Sequence, residues 1–234
     1  ALYANMTGSN NAAFGLGALA VSPAGLENTA LGTYSMGLGA SGNYNVAVGF
    51  ESLRSNTGIY NTADGHQALY SNMSGNDNTA SGASSLYSNI TGSENTAYGR
   101  QTMYTNTVGK RNTAVGMQAL FSNINGEQNT ATGHTALFSN NFGNFNTAHG
   151  WAALFSNLNG IYNTATGAVS LYKNKTGGYN TASGYGALHD NFDGDFNTSL
   201  GAQSLFLNTS GDGNAACGFS ALYNNSSGKF SSAF

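Results

Sequence analysis

The asparagine of an Asn-Thr-Ala-x-Gly signature returns every 17 residues, at Asn11, Asn28, Asn45, Asn61, Asn78, Asn95, Asn112, Asn129, Asn146, Asn163, Asn180, Asn197 and Asn214. One interval, Asn45 to Asn61, is 16, because the turn at Asn56-Thr57-Gly58 lacks a residue. A short fixed period makes each copy one rung, able to bury its apolar face only against its neighbours. Such a chain offers a long regular surface in place of a single pocket.

The consensus rung reads N-T-A-x-G-x-x-A-L-aromatic-S-N-x-x-G-x-x. No apolar i, i+3, i+4, i+7 pattern persists, and glycine recurs too often for helices. Two short stretches, Asn-Thr-Ala-x-Gly and Ala-Leu-aromatic-Ser-Asn, are each bounded by turn residues and read as strands. Each rung therefore predicts one coil with two strands and two corners. Coils stacking by parallel pairing about 4.8 Å apart give an all-β parallel β-solenoid, or β-roll, of about 13 coils and on the order of 60 Å. The unbroken period makes residues 1–234 a single repeat array.

Of 33 glycines, 27 occupy two columns. The turn column runs from Gly8 and Gly25 to Gly211 and Gly228, and is expected to need positive φ. The strand column runs from Gly15 and Gly32 to Gly201 and Gly218. It reads as a corner or a close backbone approach. Asparagines form two ladders: the signature Asn, and a second column from Asn56 and Asn72 through Asn208 to Asn225. Stacked amides bond along a column and satisfy turn backbone. Asn72-Met-Ser, Asn89-Ile-Thr and Asn174-Lys-Thr are formal glycosylation acceptors, but the same column persists where no such motif exists, which favours the ladder.

A leucine column (Leu2, Leu19, Met36, Leu53 and onward to Leu222) is followed by an aromatic one. The rings are Tyr70, Tyr87, Tyr104, Phe121, Phe138, Phe155, Tyr172, Phe206 and Tyr223, with His189 in the same column. Adjacent strand residues face opposite sides. Leucine then fills a thin interior and the rings face outward, a strip that monomers rarely expose. This pair of columns predicts an oligomer with the rings at its interface. The competing geometry is a corner at which both residues point inward. Ala20, Gly37 and Arg54 replace the ring near the start, where a different lateral contact is expected.

Only 7% of residues are charged and the net charge is −3, with no basic patch, which argues against nucleic acid as a partner. No apolar run is long enough to enter a membrane as a helix. Cys217 stands alone in Asn-Ala-Ala-Cys-Gly, a small apolar substitution. Ala1-Leu2-Tyr3-Ala4-Asn5 is the second half of a rung and Ser231-Ser232-Ala233-Phe234 the first part of another. Repeat arrays normally end in capping units, so the chain reads as a fragment of a longer fibre.

The Asn-Thr-Ala-x-Gly-x-x-Ala pattern resembles the head repeats of trimeric autotransporter adhesins. The longer Asn-Thr-Ala-x-Gly-x-x-Ala-Leu-x-Ser-Asn-x-x-Gly pattern is similar to repeat arrays of phage tail fibres and bacterial surface fibres. The resemblance covers essentially the whole chain. It implies a parallel homotrimer of β-rolls, left-handed in the adhesin heads. It also implies an extracellular, cell-surface or virion location, attachment to cells or surfaces through a glycan or protein receptor, and no catalytic residues.

The residues themselves offer no reaction site. His66 and His134 share a column four rungs apart, about 19 Å, too far to share a metal ion. His149 and His189 lie in other columns. Asp193-Gly194-Asp195 and Asp212-Gly213-Asn214 look like pieces of calcium loops but lack the repeated acidic spacing. No Gly-x-Ser-x-Gly elbow or recurring carboxylate pair is present. The expectation is a non-enzyme without cofactor or metal. One surface column invites a binding role: the residue before the signature Asn is Phe145, Tyr162, Tyr179 and Phe196 in four consecutive rungs, with Tyr44 and Tyr60 earlier. Rings at turn positions can meet sugar faces or an apolar surface, or cover a neighbouring coil.

A structural and adhesive fibre segment is the leading functional expectation. An ice-binding solenoid is the alternative, because Thr follows the signature Asn in ten rungs, from Thr29 to Thr198. The column two residues later (Leu31, Asp64, Ser81, Tyr98 and onward) is too varied for a flat lattice match. A passive spacer carrying a binding domain elsewhere is the third.

Overall fold

The computed structural model describes residues 1–2, 7–21, 24–39 and 41–234. Tyr3, Ala4 and Asn5 of the opening half-rung, and Pro23, lie outside the described residues. The chain forms two compact units, Ala1–Thr113 and Ala114–Phe234. In the first, β1 (Ala12–Phe14), β2 (Thr29–Leu31), β3 (Val46–Val48), β4 (Thr62–Asp64), β5 (Thr79–Ser81) and β6 (Thr96–Tyr98) pair in sequence order, all parallel. β7 (Thr113–Val115) contains the division between the units. In the second, β8 (Thr130–Thr132), β9 (Thr147–His149), β10 (Thr164–Thr166), β11 (Thr181–Ser183), β12 (Thr198–Leu200), β13 (Ala215–Cys217) and β14 (Ser232–Ala233) repeat the arrangement. The fold class is the expected one: all-β, a parallel β-solenoid with one coil per repeat.

Each coil has one strand, not two. The Ala-Leu-aromatic stretch is a turn segment, and its leucine carries a positive φ, as at Leu69 (50°), Leu86 (49°), Leu137 (52°) and Leu171 (49°). Sequence alternation could not reveal this, because a left-handed residue changes direction without changing residue type. The backbone nevertheless pairs with neighbouring coils here too. The Leu69 N–H donates to the Ser85 carbonyl at 2.9 Å, and the Ser71 N–H to the Tyr87 carbonyl at 3.0 Å. A left-handed leucine costs roughly 1–2 kcal/mol. Burying its side chain contributes about 1.5–3 kcal/mol, and every leucine or methionine of the column from Leu19 to Leu205 is fully buried. Burial therefore carries the strained turn.

The interior is half apolar and half amide. Strand alanines such as Ala63, Ala80, Ala148 and Ala165 point inward beside the leucines, and both asparagine columns are buried with them. Asn61 Oδ1 accepts from the Asn78 N–H at 3.0 Å and from Asn78 Nδ2 at 3.1 Å. The second amide hydrogen of Asn78 goes to the Gly92 carbonyl at 2.9 Å. In the other column Asn89 Nδ2 donates to Asn72 Oδ1 at 2.6 Å and to the same Gly92 carbonyl at 2.8 Å. The two ladders thus meet on the turn glycine's oxygen, and buried amides cost nothing when so paired. Asn72, Asn89 and Asn174 are fully buried, with their amide nitrogens bonded inside the coil, which closes them to glycan attachment. At the shortened coil the ladder holds, with the Asn61 N–H on Asn45 Oδ1 at 2.8 Å. The missing residue is absorbed by a tight turn in which the Gly58 N–H bonds Asn56 Oδ1 at 3.2 Å.

The turn glycine column differs from expectation, having no positive φ among the described residues, while the strand column makes the close backbone approach expected of it. The strand column is the one with positive φ, as at Gly82 (125°) and Gly133 (135°). A Cβ on Gly133 would also lie 2.5 Å from the Gly150 oxygen. The turn glycines Gly92 and Gly126 are glycine for space alone. A Cβ on Gly126 would lie 2.3 Å from Asn123 Oδ1 and 2.5 Å from the Gly143 oxygen.

Candidate functional site

No enclosed pocket exists among the described residues. The outer surface of the coils is organised in columns, of which three stand out. The first is the strand face. In each Thr-Ala-x strand the alanine is inward and both neighbours face out, as in β4, where Thr62 and Asp64 are exposed around buried Ala63. In-register pairing places Thr62 beside Thr79 and Thr79 beside Thr96. The partner rank at the third strand position mixes Asp64, Ser81, Tyr98, Thr132, His149 and Leu200.

The second is the ring column after the leucine. Tyr70, Tyr87 and Tyr104 stack face to face in the first unit, with centroids 4.9 and 5.1 Å apart. In the second unit Phe121, Phe138, Phe155, Tyr172, His189, Phe206 and Tyr223 stack at 4.7–5.2 Å. All are half-buried, presenting ring edges outward. Neither geometry weighed from the sequence is complete: the leucine is inward, while the ring lies along the flank of its coil. Tyr87's hydroxyl is held above its ordinary pKa by burial and by the neighbouring Tyr70 and Tyr104.

Arg54 replaces the ring at the start of the first stack and caps it. Its guanidinium sits over Tyr70, 5.5 Å from the ring centroid, and Nη1 donates to the Tyr70 hydroxyl at 2.9 Å. Nη1 also pairs with buried Glu51, whose other oxygen accepts from Gln67 Nε2 at 2.9 Å. In the sequence Arg54 is a missing ring near an end where a different lateral contact is expected, and its capping of the stack is not visible there. The nearby glutamate three residues before it was the available signal.

His189 continues the second stack as a flat ring, 5.2 Å from Tyr172 and 4.7 Å from Phe206. Its Nδ1 meets Asp190 Oδ1 at 2.5 Å, and Lys173 Nζ lies 3.0 Å from the same oxygen. Burial pushes the Asp190 carboxyl upward in pKa, but its bonds to His189 and Lys173 and their charges outweigh this and hold it below the usual range. His66 stacks on Phe50 at 5.2 Å, while His134, further along the same column, and His149, in another, are exposed. Among the described residues no three His, Cys, Asp or Glu side chains converge as a metal site. Cys217 is exposed on β13.

The third is the column before the signature Asn. Phe145, Tyr162, Tyr179 and Phe196 are all exposed. They stack with centroids 4.7, 4.9 and 5.0 Å apart and planes within 19°. Tyr44 and Tyr60 form a two-ring version at 4.9 Å. The interior faces of the four-ring stack cover one another, so a ligand reaches edges along its length and faces only at its ends.

Compared with protein-family models, with curated proteins and with solved structures, the chain matches none.

Proposed function

We propose that this chain is a structural and adhesive segment of an extracellular fibre, assembled as a parallel trimer. The observation that carries the reading is the pair of stacked ring columns on a solenoid whose interior is fully occupied. The core is consumed by leucine and paired amides, so chemistry is left to the outside. In each unit the half-buried ring column, Tyr70 to Tyr104 in the first and Phe121 to Tyr223 in the second, offers apolar edges suited to lateral packing of copies. The column at Phe145, Tyr162, Tyr179 and Phe196 offers rings suited to a cell-surface glycan or protein receptor. Resemblance to adhesin-head and tail-fibre repeats supports the trimer and the location.

Light scattering on the purified chain tests the assembly, with a stable trimer expected and a monomer at micromolar concentration counting against it. Adhesion of the labelled chain to intact cells tests the role. Tyr162→Ser with Tyr179→Ser is expected to reduce adhesion while leaving the mass unchanged.

The threonine rank from Thr62 to Thr96 gives an ice-binding reading one specific support, its in-register outward placement. Thermal hysteresis at millimolar protein would establish that reading in place of adhesion.

A further inference from the structure

The four-ring stack of the second unit ends at Phe196, and the next residues in its column are Gly213 and Phe230. Rings in this column repeat every 4.7–5.0 Å. Two coils therefore separate the Phe196 and Phe230 backbones by roughly 10 Å, and Gly213 contributes no side chain to the gap. The outer face of Phe196 is correspondingly bare. Its exposure is 62%, against 42%, 45% and 49% for Phe145, Tyr162 and Tyr179. Phe230 leans over the glycine, where a Cβ would lie 2.8 Å from its Cδ1.

One flank of this slot is charged and anchored. Asp195 and Asp212 immediately precede Phe196 and Gly213. Asp195 Oδ1 accepts from the Gly178 N–H at 2.7 Å, and Asp212 Oδ1 from the Asp195 N–H at 3.0 Å. Each carboxylate thus reaches back one coil, which brings that of Asp212 level with Phe196. Lys229 Nζ completes the flank, 2.7 Å from Asp212 Oδ2.

We propose that the slot between Phe196 and Phe230 binds one pyranose ring of a glycan, a reading that rests on the adhesive role for its purpose but not for its geometry. The apolar C–H face of the sugar lies on the bare face of Phe196, at the spacing the missing ring would occupy. Its hydroxyls donate to the Asp212 carboxylate and accept from Lys229, charge-assisted bonds that a flat hydrocarbon ring cannot use. Phe230, leaning over Gly213, borders the second face.

The test is a titration of the full chain, carrying 13C-labelled phenylalanine, with methyl glucoside, methyl galactoside and methyl mannoside. At least one is expected to shift the Phe196 and Phe230 ring signals while leaving Phe145 unmoved, with affinity in the millimolar range, about 4 kcal/mol. Gly213→Phe completes the stack. Its φ of 65° lies close to the 55–58° of Phe145, Tyr162, Tyr179 and Phe196, so the backbone accepts the change. That variant is expected to lose the response, and Asp212→Asn to weaken it about tenfold, about 1.4 kcal/mol. Absence of a shift with every pyranoside overturns the proposal. So does an undiminished response in Gly213→Phe or, should that variant not fold, in Asp212→Asn. A response to indole alone would show an aromatic-ligand slot and also overturn it. Cell adhesion unchanged in a folded Gly213→Phe retires the slot and keeps the adhesive reading. Pyranoside binding without adhesion to any cell does the reverse.

Discussion

At the scale of single residues, the coil is governed by positions where a side chain is forbidden and positions where strain is accepted. Gly133 belongs to the first kind twice over, through its φ of 135° and the Gly150 oxygen 2.5 Å from any Cβ. Gly133→Ala is therefore expected to destabilise the second unit by about 3 kcal/mol or more, since backbone on a neighbouring coil must move. Chemical denaturation read by far-ultraviolet circular dichroism would measure it, and a loss under about 1 kcal/mol would show that the coils slide to make room. The glycine columns were legible as columns because a period needs only residue identity. The close backbone approach of the strand column was legible with them, whereas the positive φ belongs to that column and not to the turn glycines. Turn glycines such as Gly126 are fixed by a buried amide and the next coil's oxygen, contacts that no local turn rule contains. Leu69 and its column had the opposite fate: burial was legible, whereas the left-handed backbone of a non-glycine residue was not.

Among elements, the three-residue strands are the smallest part of what holds a coil to its neighbour. Backbone bonds around the turn segment, two amide ladders and the ring stacks share that work. The ladders and the leucine core followed from the 17-residue period, because identical residues one period apart must meet when coils stack. The second strand did not exist, since Ala-Leu-aromatic-Ser alternates like a strand but turns at the leucine. Individual substitutions within a stack were harder still. His189 keeps the flat shape its column demands while adding a bond to Asp190, and Lys173 joins from the neighbouring coil. Because folding lowers the Asp190 pKa, its ionised form is the one the fold favours. That contribution is fully present above the ordinary carboxylate pKa of about 3.9 and is lost as pH falls through the lowered folded value. Asp190→Asn is thus expected to lower Tm at pH 6, with the difference from the parent chain shrinking toward zero as pH falls below about 4. Thermal melts at several pH values read this, and a difference that grows on acidification would contradict the pairing.

For the molecule as a whole, the decisive question is what covers the ring edges. Within one chain Phe121 already stacks on Phe138 at 5.0 Å, so Phe121→Asp removes an intrachain contact along with any contact between copies. If the rings are the interface, a carboxylate there is desolvated without a partner, and assembly weakens by several kcal/mol, on the scale of about 3–5 kcal/mol for a buried unpaired charge. The variant is expected to release monomer at temperatures where circular dichroism still reports a folded coil. Ser139→Lys separates the two effects. It adds charge beside the ring edges but removes no ring, and the coil tolerates lysine at this position because Lys173 occupies the same column. Monomer from both variants places the interface on the ring column. Intact assembly in Ser139→Lys, alongside a lower Tm in Phe121→Asp, would mean that the stack serves only its own coil. The copies would then meet elsewhere, with the outward strand face the next surface to test by the same substitution.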